Sequence, residues 1–293
     1  MKTSLGPESF CFHEWEKAQV SVLGRWQLPP VHLDIVLKYL RIDGLTLPIS
    51  TRSFGRTADQ FAAIGKAELP AMEASGLVAD DEVVPPLIDA LKTLSTPYLW
   101  VDSMWFPEPG SDHCWRALAV FTEGNRVVLG VQAPSEDPKR GGLLTVEVHQ
   151  NVPLPSVVLG TLPPAKPGTS GPIRVPHSSL QGEKVEDYDT SSMMQTATRQ
   201  RGSSGDQQVE LYEKIGKAPH ARLGQIAANK RDQHGRRRRT QVLSWFDNVE
   251  PDGRYLESVE RSSTGEPLYG LLPADARLIG NEINSLINQI RRA

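Results

Sequence analysis

Residues 240–290 read TQVLSWFDNVEPDGRYLESVERSSTGEPLYGLLPADARLIGNEINSLINQI. Apolar and polar side chains alternate through TQVLSWFDNVE, the period of a half-buried strand, and PDG supplies a tight turn. RYLESVE returns as a second strand, and PLYGLL leads into a helix over PADARLIGNEINSLINQI. In that helix Ile279, Ile283, Leu286, Ile287 and Ile290 share one face at helical spacing. Pro273 suits the first helical position and Asp275 the positive end of the helix dipole. The opposite face is polar, so the helix must lie on another element.

The same plan occurs upstream. CWRALAVFTEG reads as a strand, Gly124 and Asn125 as a turn, RVVLGVQ and GLLTVEV as returning strands, and VPLPSVVLGTL as a short apolar helix closed by Pro163 and Pro164. GNRVVLGVQ resembles DGRYLESVE, and each is followed by a strand and a proline-led helical segment. The expectation is an α/β (α+β) fold with a central antiparallel sheet, helical bundles and pseudo-two-fold duplicated halves, about 1–170 and 171–293. No short fixed period runs through the chain, which excludes a solenoid.

Outward from these repeats the chain is mainly helical in its first third. A strand around VSVLGRW stops at Pro29 and Pro30, although EWEKAQ before it is equally helical. Leu33, Val36, Leu37 and Leu40 make a helical stripe with Gly44 as its terminator. Thr57 and Gln60 have capping-box spacing at the start of a helix carrying Phe61, Ile64, Ala67 and Ala71 inward, with Pro70 inside it and Gly76 at its end. Leu87, Leu91 and Leu94 form a third stripe before Pro97. YLWVDSMWF is strand-like. Between Pro163 and Gln208 the composition turns to Pro, Gly, Ser and Thr, with IRVP as a brief strand, so a flexible stretch is expected near 187–208. VELYEKIG is helical and ARLGQIAANK is a strand.

Composition narrows the function. The 293 residues are 39% hydrophobic with a net charge of −3, enough for a core and without a general attraction for nucleic acid or anionic membranes. Cys11 and Cys114 define neither a disulfide framework nor metal-ligand spacing. The N-terminal residues lack the apolar centre of a signal peptide and no run is long enough to span a bilayer, so a reducing cytosol is expected. The seven histidines are scattered, and His32 and Asp34, two apart on a helix, point in different directions. Walker, dinucleotide-glycine and GxSxG signatures are absent, leaving only an enzyme site assembled from distant loops as a catalytic alternative. Cys114 alternates within a strand as a small packed residue. The run Arg236–Arg239 fits either a phosphate-contacting loop of a nucleic-acid-binding adaptor or a solvated hairpin guarding a sheet edge. Trp100, Trp105, Trp115 and Trp245 lie in strands, where they either fill the core or anchor a partner. A scaffold without visible chemistry suits a binding protein.

Several stretches, in this order, resemble the EspG family of actinobacterial type VII (ESX) secretion-associated proteins. They are VHLDIVLKYLRIDGLTLPI, FGRTADQFAAIGKAELPAMEASGLV, LIDALKTLSTPYLWV, CWRALAVFTEGNRVVLGV, GPIRVPHSSL and RRRRTQVLSWFDNVEPDGRYLESV with the LLPADARLI helix. Pro70 departs from the pattern, in a helix such proteins keep clear of proline. The resemblance implies one EspG-like domain and a cytosolic, non-enzymatic chaperone without cofactors. Its implied partner is a PE/PPE heterodimer, bound through the apolar helical tip of the PPE subunit and delivered to the ESX machinery. A free monomer or weak homodimer is expected, without nucleic-acid or membrane contact. In the family the sheet, the loop between the second and third strands and the C-terminal helices meet cargo. The corresponding loop here is Pro107, Glu108, Pro109, Gly110, Ser111, Asp112 and His113, flanked by Trp105 and Trp115 as aromatic anchors.

Overall fold

The computed structural model describes residues 21–137, 140–180 and 204–292. Strand β1 (Ser21–Leu28) leads into helices α1 (Pro30–Tyr39) and α2 (Ala58–Ala74), a small hairpin of β2 (Val78–Ala79) and β3 (Glu82–Val83), and α3 (Pro85–Ser95). Four long strands follow, β4 (Leu99–Phe106), β5 (Trp115–Thr122), β6 (Arg126–Pro134) and β7 (Gly141–Gln150), then the short α4 (Leu154–Leu159). The remainder is β8 (Ile173–Pro176), α5 (His177–Leu180), α6 (Ser204–Gly216), β9 (His220–Arg231), β10 (Arg237–Arg239), β11 (Leu243–Asn248), β12 (Arg254–Arg261), β13 (Pro267–Pro273) and α7 (Ala276–Arg292).

All strands except β2 and β3 join one sheet in the order β1-β7-β6-β5-β4-β9-β11-β12-β13-β8, with β10 paired to β9. Every pairing within it is antiparallel. The seam is β4 against β9, running from Leu99 opposite Lys230 to Phe106 opposite Leu223. Outward from it lie β5, β6, β7 and β1 on one side and β11, β12, β13 and β8 on the other.

Because successive side chains point to opposite faces, β4 feeds two cores. Trp100 packs with Leu118 and Val120 of β5 beneath the apolar stripes of α1 and α3, including Leu33, Val36, Leu37, Leu87, Leu91 and Leu94. Val101 packs on the other face with Ala119, Ile226, Ala228 and Trp245. That face is covered by Val157 and Val158 of α4 and by Ile279, Ile283, Ile287 and Ile290 of α7. A smaller cluster of Val175, Ile215, Phe246, Tyr255 and Leu271 lies under α6. Helix α7 thus rests on the sheet through the isoleucine face read from its spacing, with Leu286 partly buried at its margin.

Some local expectations are corrected. Helix α1 ends before Gly44: Arg41 takes the left-handed conformation at φ 56°, and Ile42 N–H donates to Leu37 O at 2.8 Å, closing the last turn. Pro273 is the last residue of β13, and Asp275 caps α7 by accepting from Leu278 N–H at 2.7 Å. Thr57 does cap α2, accepting from Gln60 N–H, but Ala67 and Ala71 face solvent and Met72 is the buried residue of that helix. Of the stretch 187–208, residues 204–208 open α6 instead of continuing a flexible linker, while 187–203, like 1–20 with its EWEKAQ segment, lie outside the described residues.

Candidate docking site

One end of the β4–β9 seam carries the β4–β5 connection, Pro107–His113. Its turn is ordered by Ser111 N–H donating to Glu108 O at 3.1 Å and His113 N–H donating to Ser111 Oγ at 3.1 Å, with Gly110 supplying φ 80°. Pro107, Glu108, Pro109, Gly110 and Asp112 are exposed, and Ser111 and His113 are half-buried. At the base of the loop Trp105 and Trp115 sit directly opposite each other and stack, ring centroids 5.7 Å apart and planes 7° from parallel. Their roles differ. Trp105 is 8% exposed and its indole N–H donates to Thr161 O at 3.1 Å, which ties the residues after α4 to the sheet. Trp105 therefore belongs to the core and backs Trp115, the half-buried member that reaches the rim. Trp100 and Trp245 are wholly within the core.

The arginine run is not a free phosphate-binding loop. Arg239 grips Asp102 with two hydrogen bonds of 2.6 and 2.9 Å, Arg237 lies 3.6 Å from the same carboxylate, and Asn229 donates to it at 2.6 Å. Asp102 is 5% exposed, so a buried charge in mid-sheet requires this pairing. Asp102 is a residue the sequence reading passed over; a lone carboxylate inside YLWVDSMWF is itself a signal that a cation must reach it. A second buried pair lies on the opposite face, where Arg254 contacts Asp247 at 2.6 and 2.8 Å and donates to Pro163 O at 2.9 Å. Arg222 adds a third contact to Asp247 at 3.0 Å, and the Arg254 guanidinium lies 4.3 Å from the centre of the Trp245 ring.

Residues considered for chemistry are dispersed. His32 contacts Glu68 at 3.0 Å, whereas Asp34 accepts from Lys38 at 2.9 Å and from Phe54 N–H at 2.7 Å. Cys114 is buried, and burial pushes its thiol above the ordinary range against the opposing pull of Arg116, so the thiol stays protonated. No group of three or more His, Cys, Asp or Glu with metal-binding geometry occurs among the described residues. No helix among them is long and apolar enough to cross a membrane.

Comparison with known proteins bears on this arrangement. The type VII secretion system chaperone EspG5 of Mycobacterium tuberculosis, solved in complex with a PE25–PPE41 dimer, aligns at TM-score 0.58 and 16% identity, over 90% of this chain and 96% of its own. At that identity the likeness speaks for the fold: a mixed α+β architecture on one large antiparallel sheet. A putative thioesterase II from Thermobifida fusca YX aligns at TM-score 0.16 and 10% identity, too weakly to carry any inference. Among curated proteins none shows significant sequence similarity. The EspG family model matches residues 29–285, a span that runs from the entry of α1 into α7 and includes the β4–β5 loop and the arginine hairpin, and the chain belongs to the EspG family.

Proposed function

We propose that this protein is a type VII secretion chaperone that binds the PPE subunit of a PE/PPE heterodimer in the cytoplasm and keeps its apolar helical tip from self-association until export. Membership of the EspG family across residues 29–285 carries this reading, supported by a shared fold with a chaperone solved on a PE/PPE dimer. An exposed apolar tip aggregates unless covered, and a preformed rigid surface covers it reversibly without chemistry. No catalytic step is assigned. The chain is taken as one domain of two related halves, about 1–170 and 171–293, supported by the matching succession of strands outward from β4 and β9.

For the contact itself we place cargo against Pro107–His113 and Trp115, with Trp105 as the packed support beneath. The nucleic-acid reading loses its basis, since Asp102 already engages Arg237 and Arg239. Co-expression with PE/PPE pairs from the same genome, followed by size exclusion, is the test, and failure to co-elute with every such pair rejects the proposal. Trp115→Ala is expected to weaken the complex with a smaller loss of stability than Trp105→Ala, because its ring is only partly buried. Trp105→Ala, by contrast, opens a cavity costing about 3–5 kcal/mol of folding stability. Unchanged affinity in a folded Trp115→Ala protein would move the contact away from this loop.

A further inference from the structure

At the end of the seam opposite the Pro107–His113 loop lies an open groove of about 740 Å³ between the C-terminal ends of α3 and α7. An eight-residue strand such as β4 separates the two ends, a span of about 26 Å at the usual rise. Its apolar floor is the half-buried ring of Phe121 over the buried Leu99, with Tyr98, 63% exposed, standing beside it. Three cations line it: Lys92 in the last turn of α3, Lys230 at the end of the β9 pairing with β4, and Arg291 in the last turn of α7.

None of these three cations forms a salt bridge among the described residues, in contrast to Arg237 and Arg239 on the neighbouring hairpin. Two of them also touch the groove's own residues. Lys230 Nζ donates to Arg291 O at 3.4 Å, and the Arg291 guanidinium lies 5.5 Å from the centre of the Phe121 ring. Glu123 is the one carboxylate among the lining residues. The two helix ends contribute roughly half a negative charge each, which offsets part of the cationic excess without cancelling it. A chain that is net negative overall thus gathers a positive rim around an apolar floor.

We infer that this groove docks an extended acidic peptide segment of a partner protein, with an aromatic or aliphatic side chain seated on the Leu99–Phe121 floor and flanking carboxylates on Lys92, Lys230 and Arg291. Charge complementarity selects this occupant: carboxylates satisfy all three cations, and an apolar side chain satisfies the floor. A nucleic-acid backbone carries a charge on every nucleotide and calls for a longer run of cations than these three, in a chain whose net charge is −3. An open trough accepts a strand of peptide along its length, whereas a small ligand would remain largely solvated. Lying at the far end of the seam, the groove stays accessible while cargo occupies the loop end, so it serves as a second surface through which a loaded chaperone is recognised.

The test is fluorescence anisotropy of the full chain with a labelled Asp/Glu-rich peptide carrying a central Phe. Saturable binding that weakens with added salt is expected, and Lys92→Glu should reduce affinity about tenfold or more. Tyr98→Ala should weaken binding without altering its salt dependence. Both side chains are exposed, so thermal melting should stay within a few degrees of the wild type, with Lys92→Glu giving up a favourable charge interaction at the end of α3. Absence of saturable binding at low salt overturns the proposal. So does equal affinity for the Asn/Gln version of the peptide, tighter binding of a single-stranded oligonucleotide, or wild-type affinity in both variants. Lys92→Glu should still co-elute with a PE/PPE pair that the wild type binds. Loss of that complex in a normally melting variant overturns the separation of the two surfaces while leaving the chaperone reading intact.

Discussion

Removing the carboxylate of Asp247 should destabilise the protein more than any surface change. Asp247 and Arg254 are 2% and 5% exposed, and the guanidinium is held by both carboxylate oxygens and by Pro163 O. In Asp247→Ala the guanidinium stays at the sheet with only Pro163 O and the Trp245 face, too deep for water to replace what is lost. Breaking a buried pair from one side costs about 3–5 kcal/mol, because the surviving charge remains desolvated. Arg222, itself partly exposed, also loses its contact with Asp247 but can turn to solvent, so it adds little. For a chain of 293 residues the loss corresponds to a fall in melting temperature of roughly 5–8 °C. Urea denaturation of wild type and variant at neutral pH measures it directly. A loss below about 1 kcal/mol would refute the claim that the pair is sealed from water.

Two further predictions concern the packing around this pair and the acid limit of the fold. Gly253→Ala should cost about 2 kcal/mol or more, because its Cβ would lie 2.4 Å from Lys166 O, a backbone atom of the segment crossing the start of β12; a neutral outcome in denaturant titration would mean that this segment yields easily. Acid sensitivity follows from Glu147 and Asp252. The His149 hydrogen bond, opposed by burial and aided by His149 and Arg25 charge, lowers Glu147 from its ordinary 4.5. Burial raises Asp252, but hydrogen bonds from Thr169, Asn248 and Tyr255 together overcome it and lower the group from 3.8. Lowered carboxylates contribute stability that is fully present above the unfolded value and lost as pH falls through the folded one. Urea midpoints should therefore hold level above about pH 5 and fall below about pH 4, with a shallower fall in Glu147→Gln. An identical acid profile in that variant would remove Glu147 from the account.

What could be read directly from residues was whatever repeats locally. The isoleucines of α7 recur at helical spacing because a single face meets the sheet, whereas β11 lacks the alternation expected of a half-buried strand because Trp245 and Phe246 enter separate cores on its two faces. What escaped was set by distant partners. Nothing near YLWVDSMWF announces that β9, beginning more than a hundred residues later, becomes its neighbour, and the β4–β9 register depends on that pairing alone. The same holds for the two tryptophans of the candidate site. Both read as strand aromatics, yet Trp105 is buried and bonded to Thr161 O while Trp115 stays at the rim. Arg41 ends α1 against its own conformational preference, where Gly44 had the composition of a terminator. Tertiary contacts overrode local propensity there.

The two buried ion pairs have a bearing on register that burial energetics leaves out. Asp102 with Arg239 lies on the face covered by α1–α3, and Asp247 with Arg254 on the face covered by α4 and α7, so each face of the sheet carries one pin close to the seam. Slipping β11 against β12 by one residue would carry Asp247 to the wrong partner and turn every side chain of one strand to the opposite face. An apolar pair at these two positions would leave the register to side-chain alternation alone. Replacing both members, Asp247→Leu with Arg254→Met, should therefore recover most of the stability lost in Asp247→Ala, because two desolvated charges leave together. It should not recover uniqueness: amide spectra of β11 and β12 are expected to broaden or double. A double variant with wild-type stability and single sharp resonances would show that strand alternation alone fixes the register, and that the ion pairs add only local packing.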